Sequence, residues 1–191
     1  MSLARLTARL AAFRDDTRGN VTLEFLLVFP LIAWAFAAVF VFFDGYRQSS
    51  VNLKAAYTIS DLISRETGEV DDEYIDSMHS LLQTLTRAAS PTMLRVTIIR
   101  WDKEDNRYYV DWSANRGYLT GLDDDSVVTL KDRLPTMPDG ERVILVETNN
   151  TFQPSLKVGI GDIDLENFVF TRPRFAPQIC GFGMPCSGEF S

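Results

Sequence analysis

The sequence predicts an α+β protein: a long N-terminal helix, then a second helix, both packed on an antiparallel β-sheet. Three observations predict it. Residues 25–43 are apolar without a break. Downstream, apolar residues recur at helical three- and four-residue steps through the first half of the chain. From Met93 the period changes to that of strands, with polar turn residues between the runs.

The 191 residues suit one compact domain with an appendage. Nineteen Lys and Arg stand against 26 Asp and Glu, a formal charge of −7. A nucleic-acid-binding body needs a concentrated cationic face, so this balance argues against one. Charge is also unevenly spread. Residues 1–19 hold Arg5, Arg9, Arg14 and Arg18 against Asp15 and Asp16, a balance of +2 that leaves −9 for the remainder. The start and the body prefer different surroundings.

Residues 25–43 read FLLVFPLIAWAFAAVFVFF, from Phe25 to Phe43. With Val21 to Glu24 the segment has 23 residues, about 34 Å as a helix. A bilayer core needs roughly 20 residues. A buried helix of a soluble protein shows a polar stripe, and this run has none. The lipid bilayer is therefore the expected surrounding. Four arginines precede the run and Asp44 follows it. By the positive-inside rule the N-terminus stays cytoplasmic and the body is exported. The competing reading is a cleaved signal peptide, with Ala35-Phe36-Ala37 as a small-x-small site. The apolar run continues past that site, which would leave a greasy new terminus.

Pro30 has no N–H for the carbonyl of Leu26, so it loosens that turn, as membrane helices tolerate. Trp34 sits near mid-span, away from the interfacial belts where Trp is enriched. It either packs on a neighbouring helix or faces lipid. Glu24 lies at the mouth of the span, where an unpaired carboxylate is costly. One account places it with the free N–H groups of the first helical turn or at headgroup level. The other brings a cationic partner from another chain.

Arg18-Gly19-Asn20-Val21-Thr22-Leu23-Glu24-Phe25, running directly into the apolar stretch, resembles the type IV prepilin leader. More specifically, the chain resembles the TadE/TadG-like proteins of tight-adherence (Flp) pilus systems. In prepilins the peptidase cuts after a glycine and a glutamate becomes the fifth residue. Cutting after Gly19 makes Asn20 the first residue and Glu24 the fifth. Asp61-Leu62-Ile63-Ser64-Arg65, the β run 142–156 into Phe152-Gln153-Pro154, and Arg172-Pro173-Arg174-Phe175-Ala176-Pro177 also look like this family. The resemblance implies a pilin-like head and a single-pass protein of the bacterial inner membrane with a periplasmic C-terminal domain. Its implied partners are other pilus-assembly subunits, pilin or pseudopilin helices, with a prepilin peptidase if the leader is cut.

Past the span, Val51, Ala55, Ile59, Leu62 and Ile63 form an apolar stripe, so the first helix is expected to reach Thr67 and stop at Gly68. The expected organisation is a basic leader, 1–19; a transmembrane helix, 20–43; its periplasmic continuation, 44–67; and an α+β head, 68–191. A second helix is expected from Asp71 or Asp72 to about Ala89, burying Tyr74, Met78, Leu81, Leu82 and Leu85 and ended by Ser90-Pro91. Expected strands are 94–101 and 107–112 around a turn at 102–106, a short one at 127–130, a firmer one at 142–148, and two more at 157–160 and 164–170.

Chemistry-bearing residues are sparse. His79 is the only histidine and reads as a surface or capping residue. Asp123-Asp124-Asp125 lacks the calcium-loop pattern and reads as a solvated turn. Gly117-x-x-x-Gly121 lies outside the span, Asn149-Asn150-Thr151 is a short sequon, and no Lys-Ser/Thr follows Gly159-Ile160-Gly161. No cofactor, metal or catalytic set is expected. Cys180 and Cys186, with Gly181, Gly183 and Pro185 between them, read as one small disulfide in an exported domain, or as two free thiols. Two functions fit. One is a non-catalytic, pseudopilin-like component of pilus assembly. The alternative is a tethered periplasmic module recognising an envelope protein or glycan through Tyr108, Tyr109, Trp112 and Tyr118.

Overall fold

The computed structural model describes residues 3–15 and 21–184. By internal contacts the chain forms two compact units, Met1–Phe43 and Asp44–Ser191. The first unit holds α1 (Leu3–Asp15) and the apolar part of α2 (Val21–Ser64). The basic N-terminal arm is thus helical from Leu3 to Asp15.

The second unit contains the rest of α2, then α3 (Asp72–Thr86), β1 (Met93–Asp102), β2 (Arg107–Arg116), the short α4 (Asp124–Val128), β3 (Arg142–Phe152) and β4 (Ile163–Thr171). The strands form one antiparallel sheet in the order β2-β1-β3-β4. The chain is therefore α+β, as its periodicity predicts.

Both long helices stop three residues earlier than expected. α2 ends at Ser64, not Thr67, where one tertiary partner and two local turns take its last carbonyls. The Ser64 carbonyl accepts the Arg174 N–H at 2.8 Å, while Arg65 N–H and Glu66 N–H close tight turns onto Leu62 and Ile63. Gly68 lies beyond this stop. α3 begins where Asp71 caps it, accepting the Tyr74 N–H at 2.8 Å. It ends in a left-handed Arg87 (φ 47°) whose N–H returns to the Gln83 carbonyl.

The buried face of α3 differs from the expected one. Ile75, Leu82 and Thr86 are inside, Tyr74 and Met78 pack on the core's margin, and Leu85 is 38% exposed. Ile75 and Leu82 are two turns apart and set the helix's rotation. Leu85 then falls to the flank.

Two expected strands are absent. Residues 127–130 are not a strand: Val127 and Val128 belong to α4, which Asp123 starts with a capping box. The Ser126 N–H donates to Asp123 Oδ1 at 2.8 Å and the Asp123 N–H to Ser126 Oγ at 2.8 Å. Residues 157–160 lie in the β3–β4 loop, with Gly159 at φ 99°. The other strands exist and run longer than expected.

The sheet buries both faces. On one face, Ala55, Ile59 and Ile63 of α2 and Ile75 and Leu82 of α3 pack against Leu94, Val96, Ile98, Trp112, Ile144 and Val146. On the other, the β2–β3 connection lays Val127, Leu134 and Met137 over Ile99, Tyr108, Val143 and Leu145. Four consecutive β3 residues, Val143 to Val146, are consequently buried. A helix-on-one-face expectation misses this second layer, because a long connection carries no period that announces what it covers.

A β-bulge divides β2 between these layers. Ile98 pairs with Trp112 but Ile99 pairs with Val110, leaving Asp111 extra. One inserted residue reverses the alternation. Tyr108 and Trp112, four apart, would share a face in a regular strand, yet they fill opposite cores. Asp111 accepts Arg142 Nε at 2.7 Å and lies 3.7 Å from Arg100 Nε, which satisfies the displaced carboxylate.

Candidate functional site

The most unusual surface of the molecule is on α2. Its 44 residues amount to about 66 Å of helix. From Val21 to Phe36 every residue is exposed, Leu26 at 70%, Trp34 at 58% and Phe36 at 73%. A core helix of this composition would be buried by its own protein. This one is long and apolar enough to cross a membrane, and its side chains are left for lipid or another chain. Phe25 and Phe29 stack one turn apart with centroids 5.1 Å apart. Pro30 lies inside the helix, and Phe43 is exposed at the far end of the apolar run.

Glu24 occupies the first turn of α2 and is exposed. That position directs its carboxylate to the end of the helix where backbone N–H groups lack intrahelical acceptors. Among the described residues no salt bridge joins Glu24 to a cation. Gly19 and Asn20, the expected processing positions, lie outside the described residues, and so does Cys186.

Cys180 is buried in a C-terminal clasp. The Val70 N–H donates to the Cys180 carbonyl at 2.9 Å, Trp112 Nε1 donates to the Ile179 carbonyl at 2.8 Å, and Val70 bridges Gly181. Ile179 thereby completes the helical core. The Cys180–Cys186 pairing itself falls on a residue outside those described.

The aromatic surface proposed for a binding module is not assembled. Tyr108 is 5% exposed and its hydroxyl donates to the Pro135 carbonyl at 2.8 Å, while Trp112 is 4% exposed. Tyr118 lies against Arg95, whose guanidinium forks onto Glu147 at 2.6 and 2.8 Å. Burial, then the charge of Glu147, push the Tyr118 hydroxyl up to about 12. Tyr109 is half-buried like Tyr118, and lies beneath Arg100 and Arg107.

The remaining polar candidates hold the fold together. His79 is half-buried, with Nε2 2.8 Å from the Thr92 carbonyl, so it ties α3 to the start of β1 rather than capping a surface. The three consecutive aspartates are also engaged. Asp123 caps α4, Asp124 accepts the Val110 N–H at 2.7 Å, and Asp125 lies 3.2 Å from Arg107.

Hydrogen bonds from the Ser126 hydroxyl and N–H hold the Asp123 carboxyl below its ordinary range. A lowered folded-state value means its contribution is complete above the unfolded-state pKa and is lost as pH falls through the folded one. Asp123→Ala is therefore expected to lower the urea midpoint at neutral pH, and the gap should narrow as the pH is taken below the ordinary aspartate value of about 3.9. Urea titrations of the full chain in detergent, at neutral pH and at steps below that value, check this; a gap independent of pH would contradict it.

Two shallow clefts open on the second unit. One, of about 340 Å³, is lined by Glu141, Arg142, Arg172 and their neighbours; the other, of about 410 Å³, by Asp105, Arg107, Asp125 and Lys131 among others. Their charged groups are largely engaged within the fold, as in Arg172–Glu141 at 2.7 Å and Arg142–Asp111 at 2.7 Å. No protein-family model matches this chain, and no curated protein or solved structure is significantly similar to it.

Proposed function

We propose that this protein is a membrane-anchored, non-catalytic, pseudopilin-like component in the assembly of tight-adherence (Flp, type IVb) pili. It spans the bacterial inner membrane once, with α1 in the cytoplasm and the α+β unit in the periplasm. One observation carries the reading: a lone carboxylate, Glu24, in the first turn of an exposed apolar helix that follows a basic arm.

The chemistry is direct. Cleavage after Gly19 exposes an α-amine, cationic below a pKa of about 8. A carboxylate one turn along a laterally staggered neighbour can pair with that amine at the membrane boundary. Such a pair sets register more than it adds stability. The partners are then other pilin-like helices, and a prepilin peptidase performs the cut.

Glu24→Gln keeps the side chain's size and removes its charge. The expected result is normal membrane insertion with loss of most surface pili, counted by electron microscopy, and loss of co-purification with pilus subunits. Unchanged pili and unchanged co-purification would remove the role assigned to Glu24. Intact mass of the detergent-extracted protein tests processing separately: a chain retaining residues 1–19 rules out routine cleavage.

A further inference from the structure

The sheet has two edge strands, and the chain treats them differently. β2 is interrupted and partly occupied by its own protein. The Val110 N–H is held by Asp124, Arg107 reaches the Asp124 carbonyl at 2.7 Å, and the bulge at Asp111 interrupts the ladder. β4 is open. It pairs with β3 over nine consecutive residues without a register shift. Among the described residues, no backbone group outside β3 bonds to any residue of 163–171. The strand holds no proline. An unbroken edge of this length presents a row of unpaired N–H and C=O groups.

The side chains on that edge have a definite character. Alternation places Ile163, Leu165, Asn167 and Val169 on one face and Asp164, Glu166, Phe168 and Phe170 on the other. Asp164 and Glu166 are exposed, and their hydrogen-bond partners are neutral: Thr151 Oγ1 at 2.9 Å and Asn149 Nδ2 at 3.3 Å. Neither carboxylate has a salt bridge among the described residues. Other carboxylates on the strands of this sheet do meet cations, as in Glu147–Arg95 and Asp111–Arg142. The open edge thus carries two same-face acids without cationic partners.

We propose that the outer edge of β4 takes an extended basic segment of another protein as a fifth strand, with Lys or Arg at alternate positions opposite Asp164 and Glu166. The main-chain ladder supplies affinity, and the alternating charges supply specificity and register. The same acids repel an acidic strand brought to the edge with its acids opposite them. The proposal stands apart from Glu24 and from the assembly that the membrane helix serves.

The test uses the full chain in nanodiscs of zwitterionic lipid. The probe is a blocked nonapeptide alternating Lys and Val. Expected results are saturable binding and slowed hydrogen exchange at outward amides of residues 163–171, with β2 unchanged. Asp164→Lys with Glu166→Lys should weaken binding about tenfold or more and create binding for the matching Glu/Val peptide. That charge swap also shows that the variant folds. Four outcomes would overturn the proposal: no binding, equal binding of a Lys/Val peptide interrupted by proline, unchanged affinity in the double variant, or protein-concentration-dependent protection of β4 without peptide. The last would assign the edge to a second copy of this chain.

Discussion

A fragment beginning at residue 68 is expected to remain unfolded, whereas one beginning at Asp44 folds. The reason lies in the core under α2. Ala55, Ile59 and Ile63 are essentially inaccessible and belong to the same cluster as Ile75, Leu94, Val96, Ile98, Ile144 and Val146. Ala56 and Ser60 are buried beside them. Each lost isoleucine removes about 1.5–3 kcal/mol of burial, and the sheet face it covered becomes wet. Polar ties go too: Gln48 Nε2 to the Thr86 carbonyl at 2.9 Å, Ser60 Oγ to Thr171 Oγ1 at 2.7 Å, and Asp61 to Arg174 at 3.1 Å. Against a total stability of roughly 5–15 kcal/mol, that loss is decisive.

Circular dichroism and amide-proton dispersion of the two fragments check the expectation. Cooperative unfolding of fragment 68–191 would contradict it. Within fragment 44–191, Ile59→Ala should cost about 2–5 kcal/mol by urea titration. The α+β unit is therefore better bounded at residue 44, with the C-terminal half of α2 as part of its core.

Gly181→Ala is expected to have the second largest effect. Gly181 has φ 155°, and an added Cβ would overlap the Val70 carbonyl oxygen. It also opens a tight turn in which Gly181 and Met184 exchange both backbone hydrogen bonds at 3.0 Å. Phe182 and Gly183 take positive φ within that turn. Backbone strain alone costs about 1–3 kcal/mol, and Val70 must shift as well. Movement there pulls Ile179 from the core and frees the Trp112 indole. Expected readouts are a lower urea midpoint and a red-shifted Trp emission for the full chain in detergent. Gly68→Ala is the control, since nothing lies within 4 Å of its Cβ position. Its midpoint should stay within about 0.5 kcal/mol of the parent's stability. Equal behaviour of the two variants would show that the clasp does not hold the core.

The elements that were legible in the sequence share a property: their pattern is local and uninterrupted. Nineteen apolar residues in a row have one economical conformation, and the short β-branched apolar runs within 94–101 and 142–148 are bounded by polar turn residues. The misread elements each involve a partner distant along the chain. The stop of α2 at Ser64 depends on Arg174, more than a hundred residues later. Val127 looks like a strand residue until Asp123 caps its turn. The orientation of α3 follows from which residues the sheet accepts, so Ile75 displaces Leu85 from the buried face. Glu24 was visible because an acid at the edge of an apolar run stands out alone. Asp164 and Glu166 were not, because two acids in an acidic chain carry no signal until the strand they ride on proves to be an edge.

By itself, the sequence determined that this chain has one apolar helix long enough for a bilayer, a basic arm before it and an α+β body after it. Those are consequences of composition and period, which act over a few turns or strands. Only the tertiary structure decided which faces are inside, where the helices end and which sheet edge stays open. Those outcomes depend on hydrogen bonds and packing between residues far apart in the chain, and on the single extra residue at Asp111 that exchanges one face of β2 for the other.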